Sequence, residues 1–392
     1  SAFYSSAWCH TGGRTLAPED ACQLMYTNNR EVDREAAYRA AADPGEEPAA
    51  LMARLLRMRN QTAKRYGYND YLGLVSGTTP LDKGMYAEFL ERVDDETRTA
   101  FEAYQQDNNV QQIWNWAASV REALADLDAR MPVDSQKTLL TRTLAGWGFE
   151  VDDYPVYFHL TEDQQRSAYA DVLVIDAPED IRIVGNLRPG LASFQHLIEA
   201  AGLALSIAET RAERSAFARF DDPAWHFGIT SFFRQMTSTE SWLTGVLGLT
   251  DAQATRAREA LGVVRLLEIR GLLVDAAFEY EAYSSGNREP NELYWQLFER
   301  YLRLTAHKEL QPWAGQRRFL TEPLSSLAEL QGRAIAAQTI SYLQNRYGDL
   351  AGNPDVRSFL VENYFRFGSR YHWRELVERG TGEDLNPKYL NP

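Results

Sequence analysis

The stretch YADVLVIDAPEDIRIVGNLRPGLASFQHLIEAAGLAL, residues 169–205, decides the fold. Its first half contains two β-rich runs, 170–175 and 181–186, on either side of the turn-rich segment 176–180. Short runs of β-branched residues that flank a turn with proline predict an antiparallel hairpin. From about Gly190 onward, apolar residues recur three and four apart, which predicts a helix. We therefore expect a small sheet that leads directly into a long helix.

The rest of the chain is predicted to be mainly helical. Apolar residues recur with helical spacing, and capping signals precede them. The predicted helices include 48–66, 83–106, 110–131, 192–218, 252–283 and 325–347. There is no repeat of fixed period, and the Gly/Pro clusters are too short for interdomain linkers. We expect one domain over 1–392, made of a cysteine loop and N-terminal segment (1–30), a helical lobe (31–168), the hairpin and the helices after it (169–250), and a C-terminal helical lobe (251–392).

Composition limits the classes of partner. The net charge is −14, and no Lys/Arg cluster offsets it. A field of that sign repels phosphate backbones and anionic lipid, so nucleic acid is disfavoured as a partner. No apolar run approaches the roughly 18 residues that a membrane-spanning helix needs. We expect no transmembrane segment.

The two cysteines, Cys9 and Cys22, lie close together near the start of the sequence. Gly12, Gly13 and Pro18 lie between them, and a small disulfide-closed loop is sterically compatible with this spacing. Two unpaired thiols are the alternative. A disulfide loop favours an exported protein, either secreted or periplasmic.

A strand pair that feeds a long helix is the place where zinc peptidases carry the motif H-E-x-x-H. The motif needs helical spacing, because two histidines at i and i+4 bind the metal from one face while the glutamate activates the bound water. The helix after the hairpin reads SFQHLIEAAGLAL over 193–205 and contains no such motif.

Other segments, spread over nearly the whole chain, carry a family resemblance. They are the cysteine pair, RNQTAKRYGY at 59–68, PAWHF at 223–227, TST at 237–239, LGL at 247–249 and SS at 325–326. In this order and spacing they resemble the angiotensin-converting-enzyme family and, more distantly, the thimet-oligopeptidase family of zinc peptidases. The resemblance implies a mainly α, zincin-like peptidase scaffold of two lobes. Long helices would surround a deep central channel, with the hairpin near the former active site.

The resemblance also maps the functional positions of the family onto this sequence. Gly202 aligns with the glycine of the family's His-Glu-x-Gly-His helix. By family spacing, the zinc ligands fall at Glu199, Leu203 and Phe227, the catalytic glutamate at Ala200, the aspartate that orients the first ligand at Ser231, and the histidine and tyrosine that stabilise the oxyanion at Glu322 and Gly332. None of these positions keeps the family residue. The resemblance therefore implies a degenerate member without the zinc site, and we expect no cofactor.

The expected function is that of a catalytically inactive zinc-peptidase homologue. It would act by binding a peptide or protein segment, or as a subunit of an assembly. A purely structural scaffold is one alternative. Another is a divergent metallohydrolase with a shifted zinc site at His196, Glu199 and His226, because His196 and Glu199 have the H-x-x-E spacing of one helical face.

The hairpin is the candidate binding element. In the family, an edge strand at this place lies along the substrate and pairs with the peptide backbone. The resemblance places this strand at Arg182, Ile183, Val184, Gly185 and Asn186. An edge strand that is merely capped by its own loops is the alternative.

Overall fold

The computed structural model describes residues 9–11, 14–16, 24–78, 83–163, 166–211, 222–284 and 288–391. These residues are mainly helical, with a small sheet, which confirms the predicted fold class. In chain order the helices are α1 (Glu31–Ala42), α2 (Glu46–Arg65), α3 (Tyr71–Thr78), α4 (Lys83–Asn108), α5 (Arg121–Asp128), α6 (Val133–Gly146), α7 (Leu191–Ala208), α8 (Pro223–Met236), α9 (Glu240–Gly245), α10 (Asp251–Ser284), α11 (Pro290–Leu302), α12 (Pro312–Gly315), α13 (Arg317–Thr321), α14 (Ser325–Tyr347), α15 (Asp355–Asn363) and α16 (Trp373–Thr381). The strands are β1 (Cys9–Thr11), β2 (Arg14–Leu16), β3 (Val156–Thr161), β4 (Tyr169–Asp176) and β5 (Asp180–Asn186).

The chain divides into two compact units. The first contains residues 1–121, 263–330 and 391–392, and the second contains 122–262 and 331–390. Helices α10 and α14 each contribute residues to both units. The contiguous lobes predicted over 31–168 and 251–392 are therefore not the compact units. A helical period marks the buried face of a helix but carries no signal for the point where the helix leaves one core and joins another.

The long helices agree closely with the sequence prediction. Helix α14 has the predicted bounds, and α10 and α2 differ from theirs by one or two residues. Helix α7 ends at Ala208, ten residues earlier than predicted, although residues 212–221 lie outside the described part of the chain. The predicted disulfide also lies outside it, because Cys22 is not among the described residues.

The helix predicted over 110–131 is confirmed only over 121–128, where α5 lies, and is wrong before it. The chain forms two short 3-10 turns, Ile113–Asn115 and Ala118–Val120, before α5 begins. The carbonyl of Trp114 accepts a hydrogen bond from Arg34 Nε at 2.9 Å, and the carbonyl of Trp116 accepts one from the Tyr104 hydroxyl. These bonds from distant side chains help to hold the two turns in their positions.

The small sheet of the second unit has the order β3-β5-β4. Strand β4 pairs antiparallel with β5, which confirms the predicted hairpin. Strand β3 was not predicted, and it pairs parallel with the other side of β5, from Val156 opposite Ile181 to Thr161 opposite Asn186. The backbone of β5 is thus paired on both sides, and the prediction that it forms an edge strand is wrong.

Helix α7 is the central helix of the second unit. By length and composition it is the one described helix that could span a membrane, and 72% of that window is buried inside the protein. Its Phe194 stacks on Trp242 with ring centroids 5.9 Å apart, and the Trp242 indole donates to Thr143 Oγ1 at 3.1 Å. Burial on nearly all sides identifies α7 as a core helix, as its high apolar content indicates.

Candidate functional site

The start of α7 is fixed by two polar side chains. Asp128 Oδ1 accepts a hydrogen bond from Leu191 N at 2.8 Å. Gly190, just before the helix, has φ +112°, and a Cβ there would lie 2.9 Å from the same carboxylate oxygen. A residue with a side chain would therefore be strained and crowded at this position. Burial raises the pKa of Asp128, and its hydrogen bond to Leu191 acts in the opposite direction.

Gln136 on α6 is the second anchor. Its Nε2 donates to the carbonyls of Met131 and Arg188 at 3.1 and 2.7 Å. Its Oε1 lies 3.0 Å from the hydroxyl of Ser193, which itself accepts from Arg188 N at 3.0 Å. All bonding groups of a fully buried amide are used, so this network sets both the position and the rotation of α7.

Asn186 at the end of β5 also belongs to the support of the site. It is fully buried, and its Nδ2 donates to the carbonyls of residues 163, 166 and 167. Its Oδ1 accepts from Asp163 N at 2.7 Å and from the Thr161 hydroxyl at 3.0 Å. Asn186 was predicted to bind a ligand. It instead holds the connection between β3 and β4 through these hydrogen bonds. Ile183 and Gly185 are also buried, so much of the predicted binding set faces the core.

The mapped zinc-ligand and catalytic positions of α7 are packed into the second unit. Leu203 and Ala200 are buried, with 7% and 4% of their surface exposed, whereas Glu199 remains partly exposed. On α8, Phe227 is half-buried and Ser231 is buried. The leucine and phenylalanine side chains have no atom that can coordinate a metal ion. The donor set at Glu199, Leu203 and Phe227 therefore does not fit zinc.

Helix α8 packs against α7 and α14 at glycines. A Cβ on Gly202 would meet the ring of Phe233, 2.7 Å from Cε2. A Cβ on Gly332 would collide with the Cβ of Phe227 and lie 2.6 Å from Gly228 N. Real Cβ atoms do not approach other atoms this closely, so neither glycine can be replaced without moving a helix. The mapped oxyanion position at Gly332 lies directly against the mapped ligand position at Phe227.

The space left near this helix contact is small and apolar. A cavity of about 10 Å³ lies among side chains of α8, α14, α15 and the 3-10 turn at 365–370. That volume is at the lower limit for a single water molecule, and an apolar lining gives water no hydrogen-bond partner. The residues around it include Phe232, Phe233, Ile335, Leu360 and Tyr364.

A polar cluster remains on the partly exposed side of α7. Glu199 Oε2 lies 3.6 Å from His196 Nδ1, and Glu199 Oε1 lies 3.5 Å from Arg234 Nη1. The guanidinium of Arg234 therefore lies beside Glu199, at the position that the resemblance assigns to the first zinc ligand. Our sequence reasoning missed Arg234, although it is the only arginine or lysine in the otherwise largely apolar helix α8.

His226 lies at the start of α8, two turns of helix away from Arg234. Its backbone N–H donates to Asp222 O at 2.9 Å, and its ring packs edge-on against Phe227. Among the described residues, no three His, Cys, Asp or Glu side chains are close enough to share a metal ion. The structure therefore brings His196 and Glu199 together, but it does not add His226 to them.

Glu322, the other mapped oxyanion position, belongs to the first compact unit. It follows the end of α13, is exposed, and its backbone N–H donates to Arg318 O at 2.8 Å.

The small sheet has two edge strands, β3 and β4, and β4 has more exposed apolar side chains. Its second half has large apolar side chains in solvent on both faces of the sheet, with 48% of Leu173, 38% of Val174 and 54% of Ile175 exposed. Only the β5 side of this strand is paired among the described residues. Unpaired edge backbone is thus found in β3 and β4 and not in β5, where it was predicted.

No protein-family model and no curated protein matches this chain in sequence. Solved structures match it in fold over nearly its whole length. A structure assigned as an oligoendopeptidase F has a TM-score of 0.69 and 16% identity, covering 98% of this chain and 70% of that chain. PZ peptidase A with an inhibitor has a TM-score of 0.69 and 13% identity, covering 98% and 71%.

A third match, assigned as an oligoendopeptidase F from Bacillus anthracis str. Ames, has a TM-score of 0.64 and 16% identity, covering 98% of this chain and 69% of that chain. At these identities the likeness shows the fold and not the chemistry. This chain has the mainly helical fold of the oligoendopeptidase F and PZ peptidase structures.

Proposed function

We propose that this protein is a zinc-peptidase homologue without peptidase chemistry, which acts by binding an extended peptide or protein segment. The observation that carries the proposal is the contact between α8 and α14, where Phe227 packs on Gly332. The resemblance places the third zinc ligand at Phe227 and the tyrosine that stabilises the oxyanion at Gly332. Here Phe227 has no metal-binding atom, and the contact leaves no room for a tyrosine side chain at 332.

The remaining mapped positions support the same proposal. Ala200 has no carboxylate to activate water, and Leu203 has no donor for a metal. General-base and oxyanion groups typically contribute factors of about a hundred or more each to the rate. A site that lacks both has no agent for water activation or for stabilising the transition state.

The free edge of β4 supports the binding part of the proposal. An extended segment can add to a sheet edge through main-chain hydrogen bonds, and exposed side chains on alternate positions then select its sequence. Leu173 and Val174 expose apolar side chains on opposite faces of the sheet, and the exposed Ile175 lies at the irregularity between Val174 and Asp176. The bound segment is therefore expected to have aliphatic or aromatic residues at alternate positions.

The loss of chemistry is tested by elemental analysis of the purified protein and by incubation with a mixed peptide library. We expect less than about 0.1 zinc per chain after dialysis against zinc-containing buffer and no hydrolysis, since two of three ligand positions have no donor. Stoichiometric zinc together with chelator-sensitive turnover would contradict the proposal.

The binding surface is tested with the substitutions Leu173→Lys and Ile175→Lys. A lysine on an edge strand opposes strand addition, because pairing would desolvate its charge. We expect each variant to weaken binding of library-selected labelled peptides at least tenfold by fluorescence anisotropy. Tyr157→Lys on β3 is the matched control, since Tyr157 is 52% exposed on the other edge of the same sheet. Equal losses in all three variants would refute a site on β4.

A divergent metallohydrolase is the second candidate, and the 3.6 Å approach of His196 to Glu199 favours it. If these residues bind zinc, His196→Ala must lower the metal content, and Arg234→Ala must raise it because the competing cation is gone. Unchanged metal content in both variants would exclude this candidate.

A further inference from the structure

One carboxyl group in the first compact unit is buried without a cation bonded to it. Glu279 on α10 has no exposed surface. Its Oε1 accepts a hydrogen bond from Leu324 N at 2.8 Å, and its Oε2 has no hydrogen-bond partner among the described residues. A buried carboxylate is stable only with several donors or a paired cation. The surroundings of Glu279 therefore suit the neutral acid.

The two cations that face Glu279 are bonded to other groups. The guanidinium of Arg59 on α2 donates to the carbonyls of Phe319 and Leu320 in α13, at 2.6 and 2.8 Å. The guanidinium of Arg318 donates to Glu329 Oε2 at 3.0 Å. The charges of Arg59 and Arg318 therefore act on Glu279 only through space. Neither guanidinium donates a hydrogen bond to its carboxyl group.

Other titratable groups also face this carboxyl. From every element packed around it they are Asp275 and Tyr283 on α10, Tyr86 on α4, Arg59 on α2, Arg318 on α13 and, beyond Arg318, Glu329 on α14. Burial raises the pKa of Glu279 to about 8, and the charge of Asp275 acts in the same direction. Burial likewise raises the pKa of Asp275 to about 6.

The hydrogen-bond partner of Glu279 has an unfavourable backbone conformation. Leu324 has φ +67°, in the left-handed region that residues other than glycine rarely occupy. The next residue, Ser325, begins α14. Glu279 holds Leu324 from one side, while Arg59 holds the two α13 carbonyls just before it. The buried Glu279 and the half-buried Arg59 therefore both help to hold the segment 317–324, together with the ion pair of Arg318 and Glu329.

We propose that Glu279 is a proton-controlled latch on the segment 317–324. In its neutral form the carboxyl holds the N–H of Leu324 and fixes the turn into α14. When the carboxyl loses its proton, its negative charge is buried without solvation. Water reaches this charge only if the segment opens.

The direction of the pH dependence follows from the two pKa values. In the open segment Glu279 has its ordinary pKa near 4.5, whereas in the closed segment its pKa is about 8. The closed form binds more protons between these values, so its stability falls as pH rises from about 4.5 to 8 and is constant above pH 8. The ratio of open to closed segment rises by up to about tenfold per pH unit in that window.

Hydrogen exchange followed by mass spectrometry on the intact protein tests the latch. For peptides covering 317–326, the protection factor, corrected for the intrinsic exchange rate, is expected to fall close to tenfold from pH 6.5 to 7.5 and to level off above pH 8. In Glu279→Gln the amide oxygen can still accept from Leu324 N, and no proton is lost. The same peptides should then show no pH dependence. A peptide from β5 in the other unit is the internal control.

A pH-independent protection factor in the parent protein, or an equal pH dependence in Glu279→Gln, overturns the proposal. If Glu279→Gln does not fold, the same hydrogen-exchange measurement is made on Asp275→Asn. Removal of this negative neighbour lowers the pKa of Glu279, so the levelling-off point must move to lower pH. An unmoved levelling-off point overturns the latch.

Discussion

Gly332 and Phe227 show how a single contact determines what the mapped site can hold. The absent side chain of Gly332 lets α14 lie directly against the backbone of α8. At the same place, Phe227 fills the position where the resemblance expects a metal-binding carboxylate. The two residues are complementary in volume, so a substitution at either position affects the same packing arrangement.

Gly332→Ala tests this contact at the residue scale. The new methyl group collides with Phe227 and Gly228, and we expect the free energy of unfolding to fall by about 2 kcal/mol or more. Gly245→Ala is the matched control, because a Cβ there meets nothing within 4 Å. Chemical denaturation should find this control neutral or slightly stabilised, since alanine is the better helix former. A Gly332→Ala protein as stable as the control would show that the helices can separate at little cost.

At the scale of elements, polar side chains of neighbouring elements hold α7 in place as much as its own apolar surface does. Gln136 and Asp128 bond the backbone and side chains at its first turn. Asn186 does the same for the loop that precedes β4. These amide and carboxylate groups fix the positions of the sheet and the helix, and the two amides are fully buried, where a lost partner is costly.

Gln136→Leu tests the support of α7. The change leaves the hydroxyl of Ser193 and the carbonyl of Arg188 without their partner, which should cost about 1–3 kcal/mol of unfolding free energy. Thr138→Ala, at an exposed position on the same helix, should lie within about 0.5 kcal/mol of the parent. Equal denaturation midpoints for both variants would contradict the anchoring role.

The elements that were predictable from sequence are those with a strong local pattern. The period of apolar residues in α10 and α14 and the turn between β4 and β5 are local signals, and the structure agrees with them. Strand β3 and the turns at 113–120 depend on partners far away in sequence, such as β5 and Arg34. At the site, the family spacing indicated which positions to compare. It gave no sign of Arg234 or of which strands have a free edge, because both depend on packing between elements.

At the scale of the whole molecule, the dominant feature is an excess of negative charge. The net charge is −14, and many of the ion pairs lie on the surface. Exposed pairs contribute little to stability, typically about 0–1 kcal/mol each. The mutual repulsion of the unpaired excess is therefore the main long-range electrostatic effect on the folded state.

Salt should stabilise this protein. Between 0.01 and 0.15 M NaCl the screening length falls from about 30 to about 8 Å, which weakens long-range repulsion more than contacts within an ion pair. We expect the Tm in calorimetry to rise by a few degrees over this range. Sucrose at matched osmolarity is the control for exclusion from the protein surface and should raise the Tm by less, because it does not screen charge. A Tm that falls with salt would mean that the surface ion pairs outweigh the repulsion.

The contact at Gly332 also limits which of the side chains expected from the resemblance this backbone could accept. Histidines at positions 199 and 203 and a glutamate at 227 would supply the missing donors, but a tyrosine at 332 would still collide with the backbone of α8. Donors can be exchanged one at a time, whereas the spacing of two packed helices changes only when many side chains change together. Installing that set of side chains therefore requires a wider spacing between α8 and α14 as well as new donor atoms.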